Sequence, residues 1–192
     1  GRSGVTSGRA GSRRVGRRTE QRSDHHPAGG FRRRWLSATA TRDNGPVNIA
    51  AELCTDSPPG ALFAEVDSLD GYGEWLDIVG RVQPAPSVAD DPGPAWMVDL
   101  RASFGPLRRS KRLRMVRELH EPPRLVRFAR RELDGRDHSP WTLTAEVRPS
   151  GKGADLDMSL HYGGSLWVPM LERMLRDEIE ASRPRLIARL AS

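Results

Sequence analysis

Cysteine, lysine and long apolar runs are the scarce features of this 192-residue sequence. The single cysteine, Cys54, excludes an internal disulfide and a multi-cysteine zinc site. No apolar run approaches the roughly 20 residues that a membrane-spanning helix needs, so no spanning segment is predicted and the expected location is the cytoplasm. Hydrophobic residues still make up 36%, and with the 19 glycines this share is ordinary for a globular protein. A wholly disordered chain is therefore excluded.

The positive charge of the chain is concentrated in residues 1–46. This stretch holds eleven arginines and no lysine against Glu20, Asp24 and Asp43, a net +8, so residues 47–192 carry −2 of the overall +6. Glycine, serine and arginine dominate it, and a segment so poor in hydrophobic residues cannot offset the entropy of ordering its backbone. We therefore predict that 1–46 is a disordered tail and that 47–192 is the folded domain.

Three interpretations of the tail are open. Arginine- and glycine-rich arms bind nucleic acid or anionic surfaces through counterion release. A segment rich in arginine and serine and poor in acidic residues is also typical of a transit peptide. The third hypothesis, which we favour, is that 1–46 is not native. The chain begins at Gly1, the globular pattern starts abruptly at Val47, and a valine codon can serve as a bacterial start.

Hydrophobic periodicity over 47–192 predicts a definite order of elements. A half-buried strand over 47–54 precedes a short helix over 58–68 with Ser57 as its cap, and a turn over 70–76 then leads into a second, shorter helical piece. Alternating patterns then predict strands near 78–83, 95–104, 108–120, 125–132, 141–147 and 156–162. An apolar stripe predicts a long helix over 166–190, with a kink or break near Arg183 because Pro184 lacks an N–H.

A sheet of six or seven strands with one apolar face needs a cover. The C-terminal helix is the only amphipathic element long enough, so we expect it to lie across the concave side of a curved antiparallel sheet. The sequence therefore predicts an α+β fold.

Two short segments carry a family resemblance. Residues 57–63 read Ser-Pro-Pro-Gly-Ala-Leu-Phe, and residues 69–76 read Leu-Asp-Gly-Tyr-Gly-Glu-Trp-Leu. A Pro-containing helix start followed by an Asp…Tyr…Trp segment resembles the START-like, or SRPBCC, superfamily, and within it the bacterial polyketide cyclase/dehydrase and lipid-transport group. Tyr-Gly-Glu-Trp stands where that group commonly has Tyr-Pro-x-Trp. The resemblance covers about 47–190 and reports the fold more specifically than the function.

The resemblance implies a helix-grip fold with a cavity between sheet and helix that binds lipids, sterols, polyketides or hormones. The inward positions are rich in aromatic residues and methionine, which suits such a pocket. The alternative is that the same residues pack a solid core. The predicted lining is Trp75, Trp96, Phe104, Met115, Phe128, Trp141, Met158, Tyr162, Trp167, Met170 and Met174.

Candidate catalytic groups are few, and no catalytic residue, cofactor or metal site is predicted. His161, beside a tyrosine, would suit acid–base work inside a cavity, but we expect it on the outer face. His120 and His138 are expected to be solvated.

Three other polar residues are candidate functional groups. Cys54 is expected to be a buried free thiol. Asp177 and Glu178 on the long helix are expected at the surface. The alternative is that one of them faces the sheet, where it would meet a strand arginine or act on a ligand carbonyl.

One basic cluster, residues 108–114, lies in the domain. We expect Arg112 and Arg114 to form a solvated strand face opposite Leu113, and the alternative is a site for an anionic partner or lipid headgroup.

Three functions from different classes remain. The first is non-enzymatic binding of a hydrophobic small molecule, the second is a polyketide aromatase/cyclase, and the third is an interaction module that uses the arginine face or the tail. We favour the first, because the inward positions are nearly all apolar. Nucleic acid is not an expected partner of 47–192, and the oligomeric state is not predicted.

Overall fold

An antiparallel sheet dominates the computed structural model, which describes residues 39–40, 46–104, 107–164 and 168–192, without the side chains of 39–40, 102–109 and 168–171. The described residues fall within one unit, Arg33–Ser192. The strands are β1 (Thr39–Ala40), β2 (Val47–Thr55), β3 (Val79–Ala85), β4 (Ala95–Phe104), β5 (Leu107–Glu121), β6 (Leu125–Arg130), β7 (Trp141–Ser150) and β8 (Gly153–Tyr162). The helices are α1 (Pro59–Val66), a 3₁₀ turn (Leu69–Gly71), α2 (Tyr72–Trp75) and α3 (Val168–Leu190).

The strand order across the described part of the sheet is β1-β2-β8-β7-β6-β5-β4-β3. Each strand from β3 to β8 pairs with the next along the chain, whereas β2 pairs with β8, from Val47↔Tyr162 to Thr55↔Ala154. The predicted α+β fold is confirmed, with seven curved antiparallel strands from Val47 onward and a long C-terminal helix. The two-residue strand β1 adds an eighth, within the segment that we predicted to be a tail.

Side-chain alternation in β2 places apolar residues on the concave face of the sheet. Ile49 and Leu53 are buried, while Ala50 and Cys54 are exposed. The prediction of a buried Cys54 is wrong, because this residue lies on the outward face of β2.

Prolines start α1, as the sequence predicts, but Ser57 does not cap it. Pro58 occupies the cap position, and its carbonyl accepts the Ala61 N–H at 3.0 Å. The Ser57 backbone N–H instead donates to Thr55 Oγ1 at 3.1 Å. Two residues of fixed φ, Pro58 and Pro59, preorganise the first turn without a side-chain cap.

The segment from Ser68 to Trp75 forms a packed corner beneath the sheet. Tyr72 is fully buried, and its hydroxyl donates to the Val66 carbonyl at 3.0 Å. The Tyr72 ring lies 4.8 Å from the Trp75 ring and 6.2 Å from the Phe128 ring. These contacts join the corner to the core of the sheet.

Helix α3 packs against β2, α1 and α2. It runs without interruption through Pro184, so the expected break at Arg183 does not occur. Pro184 and Glu180 are both exposed. Water can therefore take the place of the N–H that the Glu180 carbonyl loses. Within the described residues, no helix combines the length and the apolar character needed to cross a bilayer.

The outer face of β5 differs from the solvated face that we expected. Leu113 is buried and Arg112 is exposed, as predicted, but Arg114 is also buried, under the loop 86–94. Its guanidinium donates to both carboxylate oxygens of Asp91, at 3.1 and 2.5 Å, and to the carbonyl of Pro86 at 2.9 Å. The loop that the prolines of 84–94 create thus provides a counterion and removes Arg114 from solvent.

Candidate functional site

A cavity of about 80 Å³ lies between the concave face of the sheet and α3. Strands β2, β7 and β8 form one wall, the middle of α3 from Leu175 to Leu186 forms the opposite wall, and the segment after α2 closes one end. The apolar lining consists of Ile49, Ala51, Leu53, Trp75, Leu76, Ile78, Leu143, Leu156, Met158, Leu160, Leu175, Ile179 and Leu186. The polar lining residues are Glu52, Glu178, Ser182 and Arg183.

Glu178 fixes α3 to the closing segment of the cavity. One of its carboxylate oxygens accepts the backbone N–H of Asp77 at 2.6 Å and Nη2 of Arg185 at 3.0 Å. Arg185 also donates to the carbonyl of Trp75 at 2.8 Å and to the carboxylate of Asp77 at 2.6 Å. These bonds hold Trp75 against the cavity. The expectation of a surface position is therefore wrong for Glu178, while Asp177 is exposed as expected.

The last turn of α3 is attached to α1 and α2 by a second arginine. Arg189 Nε donates to Glu65 at 2.6 Å, and Nη1 of the same residue donates to Glu74. The glutamate hydrogen bonds raise the pKa of Arg189. Together with Arg185, this residue fixes the C-terminal half of α3 across the sheet.

Two buried tryptophans of this region differ in how their indole N–H groups are satisfied. Trp96 Nε1 donates to Asp70 Oδ1 at 3.0 Å. Trp75 is only 2% exposed, and its Nε1 has no hydrogen-bond partner in the described part of the chain. A buried donor without a partner is rare in folded proteins. Trp75 lines the cavity, whereas Trp96 does not.

Solved structures with the same architecture were found, whereas no protein-family model and no curated protein matches the sequence. A START superfamily protein from Mycobacterium smegmatis aligns with a TM-score of 0.57 and 14% identity, over 77% of this chain and 97% of its own. A protein from Thermus thermophilus aligns with a TM-score of 0.58 and 18% identity, over 75% and 97% of the two chains. The di-domain ARO/CYC BexL aligns with a TM-score of 0.57 and 14% identity, over 79% of this chain and 52% of BexL.

The chain has the START-like helix-grip fold. The likeness to these proteins concerns the fold alone, because the identities are low.

The predicted lining residues fall into four groups in the helix-grip structure. Trp75 and Met158 line the cavity. Trp96, Met115 and Phe128 are buried in the core outside it, where the rings of Trp96 and Phe128 meet edge to face at 5.8 Å.

The third group lies outside the cavity lining, in the core cluster or packed against it, with Trp141 and Tyr162 paired at one end of the β7–β8 ladder. Trp141 and Tyr162 contact each other at 5.1 Å, and Met174 packs partly buried against the core. The fourth group lies outside the described side chains and comprises Phe104, Trp167 and Met170.

Most of the cavity wall is aliphatic and was not selected from the sequence. Leu143, Leu156 and Leu160 occupy the same inward positions of β7 and β8 that the alternation identifies, and Leu175 and Leu186 lie on the stripe of α3. The predicted lining contains only aromatic residues and methionine and therefore omits these leucines. The alternation of inward side chains along β7 and β8, and the apolar stripe of α3, identify them when aliphatic residues are included.

The three histidines among the described residues, His120, His138 and His161, lie outside the cavity lining. His161 Nδ1 is 2.8 Å from the side-chain oxygen of Asn48 on the outer face of the sheet, as expected. His120 lies 3.3 Å from Asp67, and His138 lies 2.9 Å from Asp134. Across the described residues, no group of three or more His, Cys, Asp or Glu side chains is arranged to hold a metal ion.

The arginines of the outer face are largely paired with carboxylates. Arg112 binds Asp99 through Nε and Nη2, at 2.6 and 2.9 Å. Arg131 and Arg127 both approach Glu118, at 2.8 and 3.8 Å. Two members of the sequence cluster, Arg112 and Arg114, are therefore paired with carboxylates, which reduces their attraction for an anionic partner.

Proposed function

We propose that this protein binds a hydrophobic or amphipathic small molecule in the cavity between α3 and strands β2, β7 and β8. The observation that carries the proposal is the lining, in which thirteen of seventeen residues are apolar and the polar ones lie mainly along α3. Concave, mostly apolar sites with a few polar groups are typical of small-molecule binding. The fold supports the same function, because the resemblance implies a ligand cavity at this place.

The size of the cavity limits what enters without rearrangement. An engineered apolar cavity of about 150 Å³ holds benzene, and this one is about half as large. A ring-containing ligand must therefore displace side chains. Met158 is part of the wall, and its unbranched thioether chain adapts its shape at low cost.

The hydrogen bonds of Glu178 and Ser182 favour binding without a chemical step. Glu178 already accepts two hydrogen bonds from Asp77 and Arg185, and the hydroxyl of Ser182 donates to the Ile179 carbonyl at 2.8 Å. These groups stabilise the wall of the cavity. An aromatase/cyclase needs polar groups free to act on a ligand carbonyl.

A matched pair of substitutions on β2 tests the proposal. Ala51 lines the cavity, whereas its neighbour Ala50 is exposed on the opposite face of the same strand. Ala51→Phe should fill the cavity, and Ala50→Phe makes the same change outside it. The full chain is titrated with naphthalene, and the methyl resonances of lining residues such as Leu160 are followed by NMR.

We expect naphthalene to shift the cavity methyl resonances of the wild type and of Ala50→Phe, and to leave those of Ala51→Phe unchanged. The affinity should be insensitive to salt, because no charge is neutralised on binding. Native mass spectrometry of the protein from a host extract should show an added mass that organic solvent removes. Equal binding by both variants, or no binding by the wild type, would contradict the proposal.

A further inference from the structure

We propose that the ligand of this cavity carries a hydrogen-bond acceptor oxygen that the indole N–H of Trp75 binds. The inference rests on the proposed function and specifies its ligand class: ketones, esters, ethers or alcohols rather than pure hydrocarbons. It starts from the buried Nε1 of Trp75, which has no partner within the described residues.

No acceptor among the described residues reaches the indole N–H of Trp75. The ring packs on Tyr72 at 4.8 Å, and the Tyr72 hydroxyl is already committed to the Val66 carbonyl. The backbone carbonyl of Trp75 is bound by Arg185, which fixes the residue in this position. A buried N–H left in this state loses the hydrogen bond that water gave it in the unfolded chain.

Two polar groups of the cavity wall, on Glu178 and Ser182, are engaged elsewhere. Glu178 binds Asp77 and Arg185, and Ser182 donates to the Ile179 carbonyl. A water molecule that bridged the indole would need two to four polar partners, in a wall that is mostly leucine and isoleucine. An acceptor oxygen brought by the ligand is the simplest partner, because the rest of the ligand then covers the apolar wall.

Trp96 provides the internal comparison. It is also a buried tryptophan, but its Nε1 donates to Asp70 and it does not line the cavity. Among the described residues, the indole N–H of the core tryptophan has an acceptor, and that of the cavity-lining tryptophan has none. This contrast indicates that a buried indole N–H without a described acceptor belongs to the cavity wall and is not a general feature of the aromatic core.

The test compares two probes of one shape, 1-tetralone and 1-methylenetetralin, in which a C=O group is replaced by C=CH₂. The full chain is titrated with each probe, and the indole N–H resonances are followed by NMR. The resonance that disappears in Trp75→Phe belongs to Trp75. We expect 1-tetralone to shift it downfield as a hydrogen bond forms, and 1-methylenetetralin not to do so.

The second measurement is the ratio of the affinities for the two probes. Trp75→Phe also removes volume and apolar area from the cavity wall, but that loss affects both probes alike and cancels in the ratio. The ratio of 1-tetralone to 1-methylenetetralin binding should fall about two- to tenfold in Trp75→Phe, the value of one neutral hydrogen bond. It should not change in Trp96→Phe.

The outcomes separate this inference from the proposed function. If both probes bind and neither the Trp75 resonance nor the affinity ratio responds to the carbonyl, the inference is overturned and the proposed function stands. If naphthalene and both probes fail to bind the wild type, both proposals are overturned. If Trp75→Phe does not fold, the Trp75 resonance is assigned in the wild type through its NOEs to the neighbouring Tyr72 ring, and its shift still decides the matter.

Discussion

The buried ion pair between Arg114 and Asp91 gives the sharpest test of how the outer face is stabilised. The side chains are 4% and 2% exposed, and the shorter contact between them is 2.5 Å. Arg114 makes two further hydrogen bonds, to the carbonyls of Arg131 and Pro86. Asp91→Asn keeps the shape of the side chain but removes its negative charge. Among the contacts named here, Asp91 is the one carboxylate that pairs with the Arg114 guanidinium, which is buried under the loop 86–94.

Breaking a buried pair by removing one partner costs about 3–5 kcal/mol, because an uncompensated charge remains out of water. We take the lower end, about 3 kcal/mol, since asparagine retains one acceptor and the covering loop can admit water. For a domain of this size, that loss lowers Tm by about 6–12 °C. Thermal unfolding followed by circular dichroism, with urea unfolding as a second measure, tests the value.

An exposed pair on the same strand is the control. Arg112 and Asp99 are also bonded through two nitrogens, but their side chains are 56% and 24% exposed. Asp99→Asn should therefore lower the free energy of unfolding by only a small part of what Asp91→Asn does, because solvent screens the charges. Equal losses for the two variants would refute the argument that burial makes the Arg114 pair important.

The pH dependence of the same pair has a definite sign. The hydrogen bond from Arg114 holds the pKa of Asp91 below its usual value. This stabilisation is therefore complete above the unfolded-state pKa of about 3.9 and is lost as the pH falls through the lower native value. The difference in unfolding free energy between wild type and Asp91→Asn should be constant near neutral pH and shrink below about pH 4. A difference that grows in acid would contradict this mechanism.

Three further outcomes are expected. Tyr72→Phe removes the hydrogen bond to the buried Val66 carbonyl and should lower the free energy of unfolding by about 1–3 kcal/mol, measured by urea titration; no loss would contradict the importance of that bond. Pro184→Ala restores an exposed N–H inside α3 and should raise Tm, whereas a lower Tm would show that α3 depends on the proline ring. The hydrogen bond with Asp155 raises the pKa of Cys54, so Asp155→Asn should speed its reaction with a thiol reagent near pH 8, and an unchanged rate would contradict that cause.

The order and type of the elements could be predicted because they depend on local periods. Alternation over 95–104 matched β4 residue for residue, and the stripe over 166–190 lay within two residues of the start of α3. The start of α1 was found from its prolines. In each case the information lies within a few neighbouring residues, so the sequence alone contains it.

The wall of the cavity could be predicted only in part. The period of two identified inward positions in the described strands, but Trp96 and Phe128 belong to the core while Leu143 and Leu160 line the cavity. All four satisfy the same period of two. Which of them packs solidly and which meets open space depends on where α3 crosses the sheet, and the alternation of a strand does not encode that position.

The sequence by itself determined the helix-grip order of strands and helices, because hydrophobic alternation and prolines act over short distances. Only the tertiary structure decided the polar details. Glu178 reaches the backbone of Asp77 across 101 residues of sequence, and Arg114 is buried because a loop 23 residues away supplies Asp91. Such partners are chosen by long-range packing, which lowers the local dielectric and makes each charge depend on a distant counterion. The same packing buries the indole N–H of Trp75, a residue that lines the cavity, without an acceptor among the described residues.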